Sequence, residues 1–242
     1  MALKIIVCAL SAYLLGCINP AYIIGKLRGM DIRKKGSGNA GASNALILMG
    51  KAVALFSALF DIMKAACAMW VAPLIFKDVA FIAEIAGVSC AIGHIFPIFM
   101  KFQGGKGLAC LGGILLAIDW RLLLIMLAIE IVAVLLVDYI CVVPISAGIL
   151  LPVIYGVLGD LNLGWLRRAG GGPVAIAALC VITVVILGKH VHNIRRIIHG
   201  TEMHFSYMWM KDRDAEIARI HENQARWDQQ IEEKAARAMQ NK

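Results

Sequence analysis

Charged residues are scarce in this chain of 242 residues, and their scarcity excludes a water-soluble globular domain. Only 17% of the residues are charged and 60% are apolar, whereas ordinary soluble domains carry about 25% and about 45–50%. The shortage is greatest before residue 200, because the last 42 positions hold 15 of the 40 charged side chains. The same composition excludes a disordered chain. The sequence therefore predicts an integral membrane protein.

The sequence also lacks the signs of a secreted, zinc-binding or nucleic-acid-binding protein. Its seven cysteines are odd in number, include no Cys-x-x-Cys pair and lie mostly inside apolar runs, so they indicate neither disulfides nor zinc. The apolar run from Ile5 to about Ile24 is long for a signal peptide and has no clear cleavage site, which favours an uncleaved span. The net charge of +8 comes from basic residues between apolar runs, which is typical of juxtamembrane charge rather than of nucleic-acid binding.

The apolar runs predict an all-α, polytopic membrane bundle of about seven transmembrane helices. A hydrocarbon core of about 30 Å requires about 20 helical residues. The candidate spans are 3–25, 53–76, 79–100, 107–118, 121–137, 142–158 and 173–188. The fourth span is short and glycine-rich, which also fits a tilted or half-membrane helix, and five or six full spans is the alternative.

The distribution of Lys and Arg predicts how the bundle is oriented in the membrane. Basic residues cluster in the 26–52 connection, around the third connection and after the last span. These faces are cytoplasmic by the positive-inside rule, so the N-terminus is outside and the C-terminus inside. We expect a membrane domain over 1–205 and a polar helical extension over 206–242, either a solvated helix or one that binds a protein partner. The extension's apolar residues at helical spacing are Ile217, Ile220, Trp227 and Ile231.

The connection between the first two spans has the composition of an anion-binding loop. It reads Lys34-Lys35-Gly36-Ser37-Gly38-Asn39-Ala40-Gly41-Ala42-Ser43-Asn44. Its glycines permit the positive φ angles with which backbone N–H groups converge on an anion. The residues that we expect to bind substrate are Ser37, Gly38, Asn39, Gly41, Ser43 and Asn44. An ordinary polar loop is the alternative, and the spacing is not that of a nucleotide-binding P-loop.

Two further clusters lie at the same predicted face. Lys106 stands among Gly104, Gly105 and Gly107 at the start of the fourth span, where an ammonium and a helix N-terminus would together favour phosphate. A tight turn with a positive-inside lysine is the alternative. After the last span, His190 and Asn193 are three residues apart and share one face of a helix.

The sequence predicts no metal site and leaves a transporter as an alternative. Four histidines lie near the end of the last span, without a matching set of carboxylates or cysteines. They are His190, His192, His199 and His204. Within the spans, Asp61 and Lys64 could form a structural or a functional pair, whereas Glu84 and Glu130 are buried candidates for an ion path.

Taken in order, these motifs resemble those of the bacterial acyl-phosphate-dependent glycerol-3-phosphate acyltransferases. They are Gly-Ser-Gly-Asn-x-Gly-Ala-Ser-Asn from Gly36, Asp61-x-x-Lys64, Gly93-His94-x-x-Pro97 with Phe102-x-Gly-Gly-Lys-Gly, and His190-x-x-Asn193-Ile-x-Arg196-x-x-x-Gly200-x-Glu202. The resemblance covers about residues 1–205. It implies a seven-helix membrane enzyme of phospholipid synthesis, which moves a fatty acyl group from acyl phosphate to the sn-1 hydroxyl of glycerol 3-phosphate and yields lysophosphatidic acid.

The resemblance also implies roles for individual residues. Lys106 would hold a phosphate above Gly104 and Gly105, and His190 and Asn193 would orient glycerol phosphate or its attacking hydroxyl. The loop around Ser37 would bind an anion, and no metal or nucleotide cofactor would be needed because acyl phosphate is already activated. His94 would be either a polar contact or a structural residue at a helix end, and we favour the structural role.

This chain departs from the family pattern at three positions of the expected site. Ile47 and Asp138 stand where the family carries arginines, and Cys141 stands where it carries a hydroxyl. The loss of one cation removes about 1.5–3 kcal/mol of charge-assisted hydrogen bonding. The departures leave three hypotheses open: an acyltransferase with altered affinity or acceptor, a transporter of an anionic lipid-related solute, and a paralogue without turnover.

Overall fold

The structure is a computed structural model, and it describes residues 1–139, 141–160, 172–202, 204–208, 218–220, 222–230 and 233. Within these ranges the fold is all-helical, as the sequence predicts. The α-helices are α1 (Ala2–Gly16), α2 (Pro20–Leu27), α3 (Ala42–Met49), α4 (Lys51–Ile75), α5 (Ile82–Ile95), α6 (Leu108–Ile118), α7 (Trp120–Val137), α8 (Val142–Asp160) and α9 (Gly172–Ile198). Short 3-10 turns occupy Ile32–Lys34, Ile98–Met100 and Phe205–Met208. A helical segment covers 222–230, whereas 209–217 and 234–242 of the predicted extension lie outside the described residues, as do 161–171.

Among the residues that the structure describes, four helical stretches are long and apolar enough to cross a membrane. They are Lys51–Ile75, Ile82–Met100, Trp120–Val137 and Ile176–Ile198. Together, α1 and α2 qualify as a fifth span that bends by 42°. The helix α6 and the stretch Val142–Ile154 of α8 are shorter apolar segments, so the sixth and seventh spans stay a prediction.

The predicted first span, 3–25, is wrong as a single helix, because the chain breaks between α1 and α2. Asn19 caps the second helix by accepting a hydrogen bond from the Tyr22 amide at 2.9 Å, and Pro20 occupies its first turn. Proline has no N–H and is well placed at the start of a helix. The Lys64 ammonium fills the break by donating to the carbonyl oxygens of Gly16 at 3.0 Å and Ile18 at 2.7 Å.

Two other boundaries differ from the prediction. The 26–52 connection contains the short helix α3, whose N-cap is Gly41. The last helix continues ten residues past the predicted end at 188, to Ile198. His190 and Asn193 therefore share a helix, as their spacing predicts, and they lie at the end of α9.

The bundle core depends on close approaches at glycine. α1 packs along α5, and α4 packs against both α5 and α6. A Cβ atom at Gly16 would lie 2.0 Å from the carbonyl oxygen of Cys90, and one at Gly93 would lie 2.1 Å from that of Tyr13. Only glycine allows two helices to approach this closely, and such contacts are typical of membrane bundles. This packing fixes the end of α5, which carries the loop with Lys106.

Candidate active site

The fold brings Lys106 and Asn193 into direct contact, although they are 87 positions apart in the chain. Lys106 precedes Gly107, whose φ of 91° starts α6, and Asn193 lies in the last part of α9. The Lys106 ammonium donates a hydrogen bond of 2.7 Å to Oδ1 of Asn193. An ammonium has three N–H donors. The bond to Asn193 therefore leaves Lys106 able to donate to an anion as well.

Glu202 and Arg196 extend this pair into a network. Nδ2 of Asn193 donates to Oε1 of Glu202 at 2.9 Å, and Nε of Arg196 lies 3.0 Å from Oε2 of Glu202. The chain turns back at Gly200, where φ is 65°. The amides of Thr201 and Glu202 both donate to the carbonyl oxygen of Arg196, which places the carboxylate beside Asn193. Arg196 and Glu202 belong to the motif that starts at His190, but the sequence alone predicts no role for either residue.

Electrostatics favour anion binding at Lys106. Burial lowers the pKa of its ammonium below the ordinary lysine value, Arg196 lowers it further, and Glu202 and Cys141 oppose this. The N-terminus of α6 follows directly, and the first N–H groups of a helix lack partners within the helix. A helix N-terminus beside an ammonium suits a phosphate. With Arg196 and Glu202 included, the network carries one net positive charge.

His190 is buried one helical turn before Asn193. Its exposed fraction is 1%, and its Nδ1 lies 2.8 Å from the carbonyl oxygen of Ile186. A carbonyl oxygen only accepts, so Nδ1 carries the proton. In the neutral ring, Nε2 is then an acceptor. The residue is also close enough to Lys106 for their charges to interact. This tautomer suits a group that orients a hydroxyl.

The glycine-rich loop is held from inside by Asn44, which is fully buried. Nδ2 of Asn44 donates to the carbonyl oxygens of Ile32 at 2.7 Å and Asn39 at 2.9 Å. Its Oδ1 accepts from the Ser37 amide at 2.9 Å. The amide of Gly38 donates within the loop as well. Both N–H groups therefore hold the turn, and the anion contact expected of the loop stays a prediction.

The exposed groups of this loop are side chains. The hydroxyl-bearing residues Ser37 and Ser43 are exposed, whereas Asn39 is half-buried beside Gly41, the N-cap of α3. The substrate contacts expected of these residues stay predictions, and the geometry favours the serines over Asn44 as ligand groups.

Arg33 joins the glycine-rich loop to the turn that precedes Lys106. Its Nη1 donates to the carbonyl oxygen of Met100 at 2.6 Å, and its Nε and Nη2 contact Asp31 at 2.9 and 2.7 Å. Hydrogen bonds from Arg33 hold the pKa of Asp31 well below the usual range of a carboxyl group, although burial opposes the shift. The two loops therefore lie at the same end of the bundle. The sequence alone does not predict this link, because Arg33 resembles an ordinary juxtamembrane charge.

The glycines beside Lys106 pack closely against the end of α5. The amides of Gly104 and Gly105 donate to the carbonyl oxygens of Ile95 and His94, both at 3.1 Å. Cβ atoms at Gly104 and Gly105 would lie 2.0 Å from the carbonyl oxygen and from Nε2 of His94. These hydrogen bonds attach the loop to the end of α5, and the phosphate contact expected of the two glycines stays a prediction. Gly107 stays a candidate through the helix that it starts.

Asp138 and Cys141 are two of the departures from the family pattern, and they lie close together in the chain. Cys141 is 5% exposed, and burial raises its pKa to about 11, so it is a neutral thiol at physiological pH. It lies close enough to Lys106 and Glu202 to interact with both charges. Asp138 instead contacts residues that follow α9. Ile47, the third departure, is 62% exposed on α3.

His94, Asp61 and Lys64 form a separate buried cluster. Oδ1 of Asp61 lies 2.7 Å from the Lys64 ammonium and 3.3 Å from Nδ1 of His94, and the three residues are at most 4% exposed. The nearby thiol of Cys110 would complete a three-ligand metal set. The ammonium of Lys64 already supplies the positive charge that a metal would bring. The cluster joins α1, α4 and α5, which agrees with the structural role expected for His94.

The two glutamates of the transporter hypothesis have different surroundings. Oε2 of Glu130 accepts from the Ser146 hydroxyl at 2.7 Å between α7 and α8. Glu84 is 7% exposed in the first turn of α5, beside a small cavity lined mainly by apolar side chains. In the part of the chain that the structure describes, neither carboxylate has a hydrogen bond to Lys106 or Asn193. These contacts do not connect them into a polar path.

Comparisons of the sequence and of the structure with known proteins find the same kind of enzyme. A family model for glycerol-3-phosphate acyltransferase matches residues 6–200. Glycerol-3-phosphate acyltransferase 1 of Oceanobacillus iheyensis is 34% identical over 214 residues, which cover 85% of this chain and 97% of that protein. The glycerol-3-phosphate acyltransferase of Thermoanaerobacter sp. strain X514 is 35% identical over 196 residues, which cover 80% and 92%.

A solved structure has the same fold. The crystal structure of PlsY (YgiH), an integral membrane glycerol 3-phosphate acyltransferase in its glycerol 3-phosphate form, matches with a TM-score of 0.73 and 28% identity. The match covers 84% of this chain and 96% of that chain. The extension over 206–242 lies entirely beyond the family match, which ends at residue 200.

Proposed function

Because the chain belongs to the glycerol-3-phosphate acyltransferase family, we propose that it transfers a fatty acyl group from acyl phosphate to the sn-1 hydroxyl of glycerol 3-phosphate. The hydroxyl oxygen attacks the acyl carbon, and the bond from that carbon to the phosphate oxygen breaks. The products are lysophosphatidic acid and inorganic phosphate, and the balance requires no cofactor. The reaction belongs to phospholipid synthesis.

The contact between Lys106 and Asn193 carries this proposal. Both substrates bear phosphate, and the half-buried ammonium of Lys106, at the N-terminus of α6, is the group best suited to hold one. Asn193 orients that ammonium by accepting its hydrogen bond. Ser37 and Ser43 contribute neutral hydrogen bonds from the neighbouring loop, and the thiol of Cys141 lies beside the phosphate.

The catalytic step depends mainly on positioning. Acyl phosphate is an activated anhydride, so holding the hydroxyl against the acyl carbon supplies much of the rate enhancement. His190 orients the hydroxyl of glycerol 3-phosphate through Nε2, because Nδ1 is bound to Ile186. The hydroxyl proton passes to an oxygen of the phosphate group. Lys106 binds the phosphate of glycerol 3-phosphate and so fixes the hydroxyl of that substrate against the acyl carbon.

The site faces the cytoplasm of a bacterial cell in our proposal, and the chain crosses the inner membrane seven times. The loop before α3, the loop with Lys106 and the end of α9 lie at one end of the bundle, and all three are rich in Lys and Arg. The positive-inside rule places such an end in the cytoplasm. α6 and α8 would then be short spans shielded by their neighbours, and the acyl chain would lie among the helices.

A donor comparison on purified full-length protein tests the proposed reaction. Protein in detergent micelles is given labelled glycerol 3-phosphate with acyl phosphate, acyl-CoA or acyl carrier protein, and labelled lysophosphatidic acid is measured. We expect product with acyl phosphate, and loss of at least about a hundredfold in rate for Lys106→Ala. Lys51→Ala is the matched control, because Lys51 is an exposed lysine at the start of α4. Product from acyl-CoA alone would overturn the donor, and no product from any donor would overturn the function.

A further inference from the structure

Asp138 holds the segment that follows α9 through three side-chain hydrogen bonds. Its Oδ1 accepts from the Ser206 amide at 2.7 Å, and its Oδ2 accepts from the Ser206 hydroxyl at 2.7 Å. Nδ1 of His204 donates to Oδ2 at 2.8 Å. The backbone oxygen of Asp138 also accepts from the Phe205 amide at 2.7 Å. We call Asp138, His204 and Ser206 the Asp138 clasp.

The clasp is a defined structure rather than a loose surface contact. Nε2 of His204 lies 3.2 Å from the Tyr139 hydroxyl, and the two rings pack with centroids 4.7 Å apart. Asp138 follows α7 in a left-handed conformation with φ of 60°. In this conformation, its backbone oxygen and its carboxylate both accept hydrogen bonds from the segment after α9. Burial raises the pKa of Asp138, but the hydrogen bonds from Ser206 and His204 outweigh it, so the carboxylate is ionised.

The extension supports the same segment from the other side. Nδ2 of Asn223 donates to the carbonyl oxygen of Gly200 at 2.9 Å, and Nη1 of Arg219 does so at 3.2 Å. The rings of His199 and Trp227 stack with centroids 4.3 Å apart. The turn that carries Glu202 therefore lies between two contacts, the clasp after it and the extension helix before it.

The position of Glu202 determines the orientation of the Asn193 amide. An amide presents a donor on one side and an acceptor on the other. With a carboxylate at Nδ2 and an ammonium at Oδ1, only one orientation of Asn193 satisfies both neighbours. Withdrawal of Glu202 would free the amide to rotate, and Lys106 would lose the acceptor that aims it.

We propose that Asp138 is a positioning residue: through His204 and Ser206 it holds the turn that carries Glu202, and Glu202 in turn sets Asn193 and Lys106 for phosphate. This inference rests on the proposed function, since it assigns phosphate to Lys106. Asp138 stands where the family pattern carries arginine, so this chain replaces a possible ligand cation with an anchor for its own C-terminal extension. The extension becomes part of the site's support.

The test measures the affinity for glycerol 3-phosphate separately from turnover. Full-length wild type, Asp138→Asn, Asp138→Ala and Ser206→Ala are purified in detergent, and KM, kcat and the calorimetric Kd for glycerol 3-phosphate are determined. We expect KM and Kd to rise about fivefold to tenfold for Asp138→Ala and less for Asp138→Asn, which keeps one acceptor, with kcat changing less than about twofold. Asp78→Asn is the matched control, because Asp78 pairs with Lys4 on the surface at the other end of α4 and α5.

Hydrogen exchange of the same proteins gives a readout without substrate. Amide exchange over 200–206 should quicken in Asp138→Ala, and exchange in α4 should stay unchanged. Unchanged KM and Kd in Asp138→Ala would overturn the proposal, as would an equal fall in active fraction and melting temperature without a change in KM. Tighter substrate binding in Asp138→Arg would overturn it too, because position 138 would then contact the ligand directly. Wild type that binds glycerol 3-phosphate without turnover would overturn the proposed function alone, and wild type that fails to bind it would overturn both.

Discussion

Gly105 lies directly against the imidazole of His94, and a Cβ atom built on it would be 2.0 Å from Nε2. His94 cannot withdraw, because its other nitrogen is bound into the cluster with Asp61 and Lys64. The end of α5 and the loop that carries Lys106 therefore meet at a contact that only glycine permits. The position of Lys106 depends on this contact.

Gly105→Ala should displace the loop and separate Lys106 from Asn193. We expect acyl transfer to fall at least about tenfold, because the cost of overpacking a buried contact is typically about 1–3 kcal/mol. The measurements are the rate of lysophosphatidic acid formation and the thermal unfolding of the protein in detergent.

Gly112→Ala is the control for this substitution. Gly112 lies inside α6, where a new Cβ would lie 3.7 Å from the nearest side-chain atom, at ordinary contact distance. In the interior of a helix, alanine is more favourable than glycine by about 0.5–1 kcal/mol. We expect Gly112→Ala to unfold at the same or a higher temperature with full activity. Equal activity of the two variants would show that the Gly105 contact does not position Lys106.

Asn44 and Ser37 should separate loop stability from substrate binding. Asn44→Ala removes the side chain that holds the loop and leaves buried carbonyls and an amide without partners, at about 1–3 kcal/mol for an unsatisfied group. We expect its melting temperature to fall, with proteolysis in the loop. Ser37→Ala removes an exposed hydroxyl, so its stability should stay unchanged while KM for glycerol 3-phosphate rises. A stable Asn44→Ala variant with raised KM would instead identify Asn44 as a ligand.

The class of fold follows from composition, but its breaks depend on local signals that hydropathy hides. A run of apolar residues spans 5–24, and its average conceals Asn19 and Pro20, which together start a new helix. Asparagine followed by proline is a helix-start signal that the sequence itself contains. The extension of α9 to Ile198 is harder to predict, because basic residues at a helix end resemble a connection as much as a helix.

The site is predictable in its residue types and less so in what each residue does. Lys106, His190 and Asn193 were identified through their motifs, and the structure places Lys106 and Asn193 in contact. Asn44 was expected to face the ligand, since an asparagine suits a ligand and a turn equally well and only the fold distinguishes them. The last motif contains Gly200 and Glu202, but its spacing alone does not show that the chain turns back at Gly200 and brings Glu202 to Asn193.

As the pH is raised, the affinity for glycerol 3-phosphate should weaken at a lower pH than it would if an exposed lysine bound the phosphate. Burial lowers the pKa of Lys106, so its ammonium loses the proton at a lower pH than an exposed lysine does. KM should rise as the pH passes upward through that pKa, because the neutral amine no longer attracts phosphate. The measurement is the pH profile of KM for wild type and Lys106→Arg.

Lys106→Arg is the informative variant because a guanidinium stays charged throughout the accessible range. Its KM is expected to be higher at neutral pH, since the larger group fits the contact with Asn193 less well, but the alkaline rise should disappear. Persistence of the same rise in Lys106→Arg would assign the titration to another group.

The buried pair of Asp61 and Lys64 should matter for stability through the charge that remains when one partner is removed. Both side chains are at most 3% exposed and lie 2.7 Å apart. Lys64→Met leaves a buried carboxylate and removes two hydrogen bonds to the break between α1 and α2. The loss of one partner of a buried pair typically costs about 3–5 kcal/mol. We expect a large fall in melting temperature in detergent.

The double variant Asp61→Leu with Lys64→Met distinguishes charge from packing. Removing both charges eliminates the uncompensated carboxylate, so the double variant should be more stable than Lys64→Met alone. It should remain less stable than wild type, because the carbonyl oxygens of Gly16 and Ile18 lose their donor and His94 loses its carboxylate partner. A double variant that is no more stable than Lys64→Met would show that the remaining carboxylate does not account for the loss of stability.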